Sequence, residues 1–212
     1  MKPASLTGKK RLLEAARRIF AAHGLAEGSL REICAQANAN VALVKYHFGG
    51  KEQLYIAVLD AFLDETANRY PLDEGLDPQS PPEAQLQAFI RGFLKRILAH
   101  EEPIAKGLSR IVAQEIFAPS PAFEPLLAKH IRPSHERLIS IVAALLPGMD
   151  KQVVLRCAHS ISGQCIAYDF VKDTMSRMQM AVEFTPDAME SMVDYITEFS
   201  LGGIERLQRR MA

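Results

Sequence analysis

Apolar residues recur at intervals of three and four along most of the chain, which is the spacing of one face of an α-helix. No stretch shows the sustained alternation of apolar and polar residues that a half-buried strand needs. The pattern therefore predicts an all-α fold of nine to ten helices. Four prolines and a glycine interrupt the pattern between residues 71 and 82, so this segment is predicted to be a loop.

Two short helices joined by a tight turn are predicted in the N-terminal part of the chain. Ser29 and Glu32 have the spacing of a capping box, which predicts that a helix begins at about Ser29. Asn38 can adopt the left-handed backbone conformation of a turn, and Asn40 can cap the helix that follows. The two helices would then follow each other directly, at a sharp angle.

The second of these helices has one apolar face and one mixed face. Val44 and Phe48 lie one turn apart and are expected to face the core, which leaves Ala42, Lys45 and Tyr46 on the outside. Small, basic and aromatic groups on the outer face of such a second helix are typical of the helix-turn-helix unit, which lays this helix in the major groove of DNA.

Apolar stripes on the other predicted helices indicate which faces are buried. The first helix is expected to bury Leu12, Ala16, Ile19, Phe20 and His23, and the fourth, running towards Tyr70, to bury Leu54, Tyr55, Val58, Leu59 and Phe62. Near the C-terminus, a helix capped by Asp150 carries Val154, Cys157, Ala158, Ile161, Cys165, Tyr168 and Val171, and one opened by Thr185 and Pro186 carries Met189, Met192, Val193, Ile196, Phe199 and Ile204. Pro133 is expected to kink or split the helix before them.

Charge is unevenly distributed along the chain. The 212 residues have no net charge, but the first 55 contain nine lysines and arginines against four glutamates, so this segment carries +5 and the remainder −5. A basic segment that contains a helix-turn-helix is typical of a nucleic-acid-binding head, whereas the same charges without that motif are more often ordinary solvated faces. Residues 2–8 show no periodicity and are expected to form an arm whose lysine could touch phosphate.

The three cysteines, Cys34, Cys157 and Cys165, are too few and too widely spaced for a disulfide framework or a zinc module. They are interpreted as small buried hydrophobic residues. His159 diverges from Cys157 on a helix, and Cys165 lies about 12 Å further along the axis, so these groups cannot chelate one ion from a single helix. A metal site would need ligands from other helices, such as His100, His130 or His135. No metal ion and no other cofactor is predicted.

The N-terminal part of the chain resembles the DNA-binding domain of the TetR family of bacterial transcriptional regulators, over roughly residues 8–62. The resemblance is carried by RLLEAARRIFAAHG, by the capped helix and by VALVKYHFGGKEQLY, in which YHF-x-x-K-E is the most recognisable element. The C-terminal part resembles the CecR-like subgroup through IRPSHERLISIVAALLP and SGQCIAYDF. With the helix pattern, this implies a helix-turn-helix DNA-binding domain over residues 1–52, a connecting helix to about residue 70, and a ligand-sensing and dimerisation domain over residues 53–212.

The same resemblance implies roles for residues of the helix-turn-helix. The family usually has Gly where this chain has Asn38, and a Thr-Leu-Tyr run where it has Leu43, Val44 and Lys45, so no base preference is implied. The implied DNA-binding residues are Val41, Ala42 and Lys45 facing the bases, Tyr46, His47 and Lys51 at phosphates, Arg31 reaching either, and Asn40 at the cap.

Small residues lie along the last two predicted helices, where they would allow another helix to come close. They are Ser160, Ser162, Gly163, Ser200, Gly202 and Gly203. From the pattern alone, this could be an interface across a two-fold axis or ordinary packing within one chain. The family resemblance implies a homodimer formed through these two helices.

The C-terminal body is expected to bind a small-molecule effector. Eight methionines and ten phenylalanines supply adaptable apolar lining, although any single one is more often plain core. The candidate pocket residues are Phe89 and Phe93, with the polar groups of Arg110, Gln114, Gln164 and Tyr168.

Other classes of function fit the sequence less well. It has no G-x-S-x-G elbow, no H-E-x-x-H and no glycine-rich phosphate loop, so an enzyme is not predicted. A protein that only bends DNA would not need so large an apolar helical body. No apolar run reaches the ~20 residues of a membrane span, so a cytoplasmic protein without a membrane partner is expected. The sequence thus predicts a repressor that leaves a palindromic double-stranded operator when a small molecule binds.

Overall fold

The computed structural model describes residues 8–180 and 182–211 and, of Met211, the backbone only. Every regular element in these ranges is helical, so the predicted all-α fold is confirmed. Of the predicted N-terminal arm, residues 2–8, residues 2–7 lie outside the described residues, and the prediction is wrong for Gly8, which begins α1. Within the described part of the chain, none of the helices is long and apolar enough to cross a membrane.

The helices follow one another with short connections, except for the predicted loop before α5. In order they are α1 (Gly8–Glu27), α2 (Leu30–Gln36), α3 (Val41–Phe48), α4 (Lys51–Arg69), α5 (Pro82–Leu98), α6 (Pro103–Phe117), a 3₁₀ turn (Pro121–Phe123), α7 (Glu124–Leu126), a π turn (Leu127–Ile131), α8 (Arg132–Leu145), α9 (Lys151–Arg177) and α10 (Pro186–Met211).

Pro133 accounts for the irregular stretch before α8. Proline has no N–H to donate to the carbonyl oxygen of Lys129, and its ring crowds that carbonyl. The chain widens into the π turn Leu127–Ile131 at this point and resumes a regular helix at Arg132. The prediction that Pro133 splits this helical region is confirmed.

The last two helices begin where their capping residues predict. Asp150 Oδ1 accepts a hydrogen bond from the backbone N–H of Gln152 at 2.8 Å, at the start of α9. Thr185 Oγ1 accepts one from the N–H of Ala188 at 3.2 Å, and Pro186 is the first residue of α10. Both caps satisfy amides that would otherwise lack a partner in the first turn.

Packing divides the chain into two compact units. The first comprises the residues up to Thr66 together with His100–Ile131, and the second comprises Ala67–Ala99 and the residues from Arg132 onwards. Helix α4 therefore begins in the first unit and ends in the second. The predicted functional boundary after residue 52 stays a prediction, since packing units and functional domains are different divisions of the chain.

The core of the first unit includes α6 as well as the helix-turn-helix region. From α1 to α4 it contains Leu12, Ala15, Ala16, Ile19, Phe20, Ile33, Cys34, Ala37, Val44, Leu54, Tyr55, Val58, Leu59 and Phe62. To these are added Leu108, Ile111 and Val112 of α6, with Phe123 and Leu126 after it. The helix-turn-helix region is thus part of a larger apolar core, to which α6 contributes one side.

Helix α6 approaches α1 most closely at Gly107. A Cβ atom at this position would overlap the carbonyl oxygen of Ala21 and lie 2.9 Å from its carbonyl carbon. Because both obstacles are backbone atoms, no side-chain rotation could make room for it. The absence of a side chain at Gly107 is therefore a condition for the contact between these two helices.

A second connection to α6 is polar. Tyr55 of α4 donates its hydroxyl proton to Glu115 Oε1 at 3.2 Å, and Glu115 Oε2 accepts the backbone N–H of Ser120 at 2.9 Å. Burial, with the charge of Glu115, raises the pKa of Tyr55 above its usual range, so the hydroxyl remains a donor at neutral pH.

The core of the second unit is formed by α5, α8, α9 and α10. Its buried residues include Leu86, Phe89, Ile90, Leu94, Leu138, Ile141, Val142, Leu145, Val154, Ala158, Ile161, Cys165, Met192, Val193, Ile196 and Ile204. At the edge of this core, side chains near the ends of α4 and α5 donate hydrogen bonds to backbone carbonyl oxygens of the other segment. Arg96 donates to the carbonyl oxygens of Tyr70 at 2.7 Å and Ala67 at 3.4 Å, while the Tyr70 hydroxyl donates to that of Ala99 at 3.3 Å.

Three residues that were predicted on buried faces are exposed. His23 lies directly before Gly24, whose positive φ of 66° interrupts α1, and its side chain points into solvent. Val171 lies on the part of α9 beyond Cys165, the last buried residue of that helix. Phe199 of α10 is 63% exposed because it lies on the side of the helix that faces away from the core. For these residues the expected burial is wrong.

Replacement of Gly107 by alanine should destabilise the first unit, although alanine is the better helix former by about 1 kcal/mol. The added methyl group must push α6 away from the backbone of α1, and overpacking of this kind costs about 1–3 kcal/mol. Urea unfolding followed by circular dichroism measures the change. Lys106→Ala, at the exposed neighbouring position, is the control and should be close to neutral. A Gly107→Ala variant as stable as this control would contradict the close contact.

Candidate nucleic-acid interface

The two helices of the predicted helix-turn-helix have the expected ends. Ser29 Oγ accepts the N–H of Glu32 at 3.4 Å, and Asn40 Oδ1 accepts the N–H of Leu43 at 3.0 Å. Asn38 has a φ of 48°, which is the left-handed conformation that the turn was predicted to need. Gly49, with a φ of 92°, ends α3. The predicted helix start, turn and cap are therefore confirmed at Ser29, Asn38 and Asn40, whereas Glu32, the other half of the predicted capping box, accepts from Gln36 Nε2 at 3.4 Å.

Helix α3 has one buried anchor and an open outer face. Val44 is 1% exposed, in the core of the first unit. On the outer side Val41 is 50% and Tyr46 82% exposed, and Ala42 and Lys45 are exposed as well. Two large apolar or aromatic side chains held in water on a short, capped helix are available to a partner.

The remaining predicted contact residues surround this face. Arg31 is exposed on α2, and Asn40 is exposed at the cap of α3. His47 is half-buried, with its ring 5.0 Å from that of Tyr46 in an edge-on contact. Lys51 donates to the carbonyl oxygen of Ala26 at 3.1 Å, which leaves two of its three ammonium protons for another acceptor.

Several basic residues of the N-terminal segment have structural partners in the same unit. Arg11 Nε donates to the carbonyl oxygen of Ala37 at 3.0 Å, where α2 ends. Arg17 forms a bidentate pair with Glu65 at 2.5 and 2.8 Å, which is the largest contribution to its raised pKa. Arg18 Nε donates to Gln36 Oε1 at 3.3 Å. Only the pair with Glu65 cancels positive charge, because the acceptors of Arg11 and Arg18 are neutral, but all three guanidinium groups are engaged within the protein.

Lys9 has a structural role that the sequence does not reveal. Its ammonium lies 5.8 Å from the centre of the Phe48 ring, at the end of α3. Together with the contact of Arg11 to the end of α2, it shows how the start of α1 supports both helices of the helix-turn-helix. The spacing of basic residues carries no signal of this, because the partners lie 26 or more residues away.

The cysteines are not placed as reactive groups or ligands. Cys34 and Cys165 are buried, which confirms their interpretation as small core residues, whereas Cys157 is half-buried. Burial raises the pKa of all three thiols, that of Cys165 to about 12. All three therefore remain protonated at neutral pH.

A second open surface lies along α9 and α10, in the second unit. Between these helices is a groove of about 350 Å³ lined by Val153, Arg156, Cys157, Ser160, Ile161, Gln164, Phe199, Ser200, Gly203, Ile204 and Leu207. Tyr195, next to the groove, stacks on the Phe199 ring at 6.2 Å, and each of the two side chains is 63% exposed. At Gly163, Gly202 and Gly203 an added Cβ would meet nothing within 4 Å, so the described part of the chain does not use their small size for its own packing.

The six predicted pocket residues occupy different surroundings. Phe89 and Phe93 stack at 5.6 Å in the second unit, with Phe89 buried. In the same unit, Gln164 donates to Ser200 Oγ at 3.4 Å, and Tyr168 packs against the core. Arg110 and Gln114 are exposed on α6, which belongs to the first unit. The assignment of these six residues to one pocket stays a prediction.

Comparison with protein families matches both parts of the chain. Residues 12–58 match the bacterial regulatory proteins of the TetR family, and residues 82–204 match the C-terminal domain of the HTH-type transcriptional dual regulator CecR. The second match alone covers more than half of the chain.

Individual relatives agree with these matches over most of their length. The dual regulator CecR of Shigella flexneri is 28% identical over 175 residues, which are 79% of this chain and 78% of that protein. The HTH-type transcriptional repressor NicS of Pseudomonas putida is 27% identical over 206 residues, covering 92% and 91%.

Solved structures show the same fold at lower identity. A putative fatty acid metabolism regulator of Clostridium perfringens has a TM-score of 0.66 at 20% identity, covering 91% of this chain and 97% of that one. AibR, in complex with isovaleryl coenzyme A and operator DNA, has a TM-score of 0.62 at 17% identity, with the same coverage.

The capped helix-turn-helix, the all-helical body and both family matches agree. The chain therefore belongs to the TetR family of transcriptional regulators, with a C-terminal domain of the CecR type, rather than to a family of enzymes.

Proposed function

We propose that the chain is a ligand-responsive repressor, which binds a palindromic operator as a homodimer in the cytoplasm and leaves it when a small molecule binds the C-terminal region. The observation that carries the proposal is that α3 is held in place by the protein and exposes one side to solvent. This helix is capped at both ends and anchored by Val44, and it exposes Val41, Ala42 and Lys45 along one side. A rigid helix with such a face can enter the major groove.

The outer face of α3 has the chemistry to distinguish base pairs. The ammonium of Lys45 can donate to O6 or N7 of guanine, and Val41 or Ala42 can contact the methyl group of thymine. We assign Tyr46, His47 and Lys51 to phosphate contacts, which position the helix without reading sequence. Arg31, on the exposed side of α2, can reach either a base or a phosphate.

Binding to both half-sites of a palindromic operator needs two copies of the chain, because each copy carries one helix-turn-helix. A two-fold axis would bring two recognition helices to half-sites about one helical turn, roughly 34 Å, apart or a little more. We place this axis at the groove of α9 and α10. Its support is the combination of open glycines with the exposed rings of Tyr195 and Phe199, since apolar groups of this size in water mark interaction surfaces.

Response to a small molecule is supported by the relatives. NicS is described as a repressor, and the structure of AibR contains both isovaleryl coenzyme A and operator DNA. In this chain we keep the six predicted residues as candidate effector contacts. They are Phe89, Phe93, Arg110, Gln114, Gln164 and Tyr168.

Lys45→Ala should cost about 1–3 kcal/mol per half-site on an operator selected from random duplexes, and much less on a scrambled duplex. Lys51→Ala should weaken both complexes similarly and reduce the slope of affinity against salt, because a phosphate contact carries no sequence information. Titrations of both variants on both duplexes at two salt concentrations measure these effects.

Lys51→Ala serves as the matched control for Lys45→Ala, because each variant removes one ammonium group from the same surface. If Lys45→Ala weakens cognate and scrambled duplexes equally, Lys45 does not read bases, and the specificity must come from Arg31, Val41 and Ala42.

Gly203→Arg should dissociate the homodimer before it unfolds the protomer. The glycine is exposed with open space around it, so the protomer can accept the side chain, whereas a closely packed second copy cannot. Sedimentation velocity measures the oligomeric state and circular dichroism the helicity. Glu205→Arg is the control, since it places the same group on the same helix, on the side away from Gly203, and removes only an exposed ion pair with Arg209. An intact Gly203→Arg dimer of unchanged stability would contradict the proposed interface.

A further inference from the structure

Two carboxylates, an ammonium and an imidazole meet where the π turn lies against α4, within the first unit. Lys129 Nζ lies 2.7 Å from Asp60 Oδ1 and 3.0 Å from Asp64 Oδ2. His130 Nε2 lies 2.6 Å from Asp60 Oδ1, and its Nδ1 lies 3.9 Å from Asp64 Oδ1. One ligand atom from each of Asp60, Asp64 and His130 can be chosen so that all three lie within 4.8 Å of one another.

The backbone holds these three side chains in place. Asp60 and Asp64 are one turn apart on α4, so both carboxylates project from the same side of a long helix. His130 is only 9% exposed, within the π turn created ahead of Pro133. A π turn changes the direction of its side chains relative to a regular helix and is frequently found at functional sites. Here it directs an imidazole towards two carboxylates.

The donor set suits a divalent transition metal. One imidazole nitrogen and two carboxylate oxygens are ligands that Zn²⁺ accepts at about 2.0–2.2 Å. Ligand atoms around a tetrahedral ion with bonds of this length are roughly 3.4 Å apart, so Asp60 Oδ1 and His130 Nε2 would need to separate by about 0.8 Å from 2.6 Å. With three protein ligands, the remaining positions would be taken by water.

Lys129 shows that Asp60 and Asp64 already bind a positive charge, and its ammonium would compete with a metal ion for these carboxylates. Its ammonium pairs with both carboxylates that a metal ion would need as ligands. It is also 49% exposed at the end of a flexible stem, whereas His130 is nearly buried. Lys129 can therefore move into water without disturbing the three ligands.

We propose that Asp60, Asp64 and His130 bind a divalent transition-metal ion, and that the ammonium of Lys129 occupies this site when no metal is bound. The sequence suggests His130 only as a partner for the cysteines of α9, and the structure places it with two carboxylates instead. The bound ion would join α4 to the π turn by coordination bonds in place of exposed ion pairs. This proposal is independent of the effector and operator assigned above.

The test uses the full chain without an affinity tag and Co²⁺ as the probe, because Co²⁺ reports its ligands by absorption. We expect Lys129→Ala to bind one Co²⁺ per chain on the order of tenfold more tightly than the wild type, since it removes a charge that makes two exposed ion pairs with the ligands. Bound Zn²⁺ should raise the melting temperature of Lys129→Ala. His130→Ala combined with Lys129→Ala should lose the binding.

His159→Ala is the matched control, since His159 is an exposed histidine stacked on His135 in the second unit. It should leave the affinity for Co²⁺ unchanged. The proposal is overturned if Lys129→Ala binds no more tightly than the wild type, or if binding is lost with His159→Ala instead. A thiolate-to-cobalt charge-transfer band would also overturn it, because the ligands would then be cysteines. The gain in affinity of Lys129→Ala keeps the test decisive even if His130→Ala does not fold.

Discussion

The contact between α1 and α6 at Gly107 is the constraint on which the rest of the first unit depends. It lets α6 come close enough for Leu108 and Val112 to complete the core around the buried side of α1. That core holds Val44, the buried anchor of α3, and therefore sets which side of α3 remains in water. Val44 thus shares its core with residues that lie more than 60 positions later in the chain.

Local features of the fold could be predicted from the sequence because their causes are local. A cap, a left-handed turn residue and an apolar stripe each depend on neighbours within a few positions, so the roles of Ser29, Asn38 and Asn40 follow from the sequence alone. The split before α8 follows in the same way from the chemistry of Pro133. The all-α fold is the sum of such signals.

Features that depend on distant partners could not be predicted in this way. The spacing of basic residues does not show that Arg11 and Arg17 have structural partners 26 and 48 residues away. A glycine in an amphipathic helix gives no sign that a backbone approaches it, and Phe199 has the periodicity of a core residue although it faces away from the core of its own chain. For the same reason His130 could not be paired with Asp60, because the two lie 70 residues apart.

We propose that the outer faces of α3 in two copies of the chain read a palindromic operator, and that both copies release it when a small molecule binds. Mapping the DNA that the full chain protects upstream of its own gene, with and without candidate metabolites, tests it most directly. The account predicts two symmetric half-sites with centres about one helical turn, roughly 34 Å, apart, which lose protection together when the effector is added. Protection of a single half-site by a monomer, or an affinity that does not fall with salt, would contradict it.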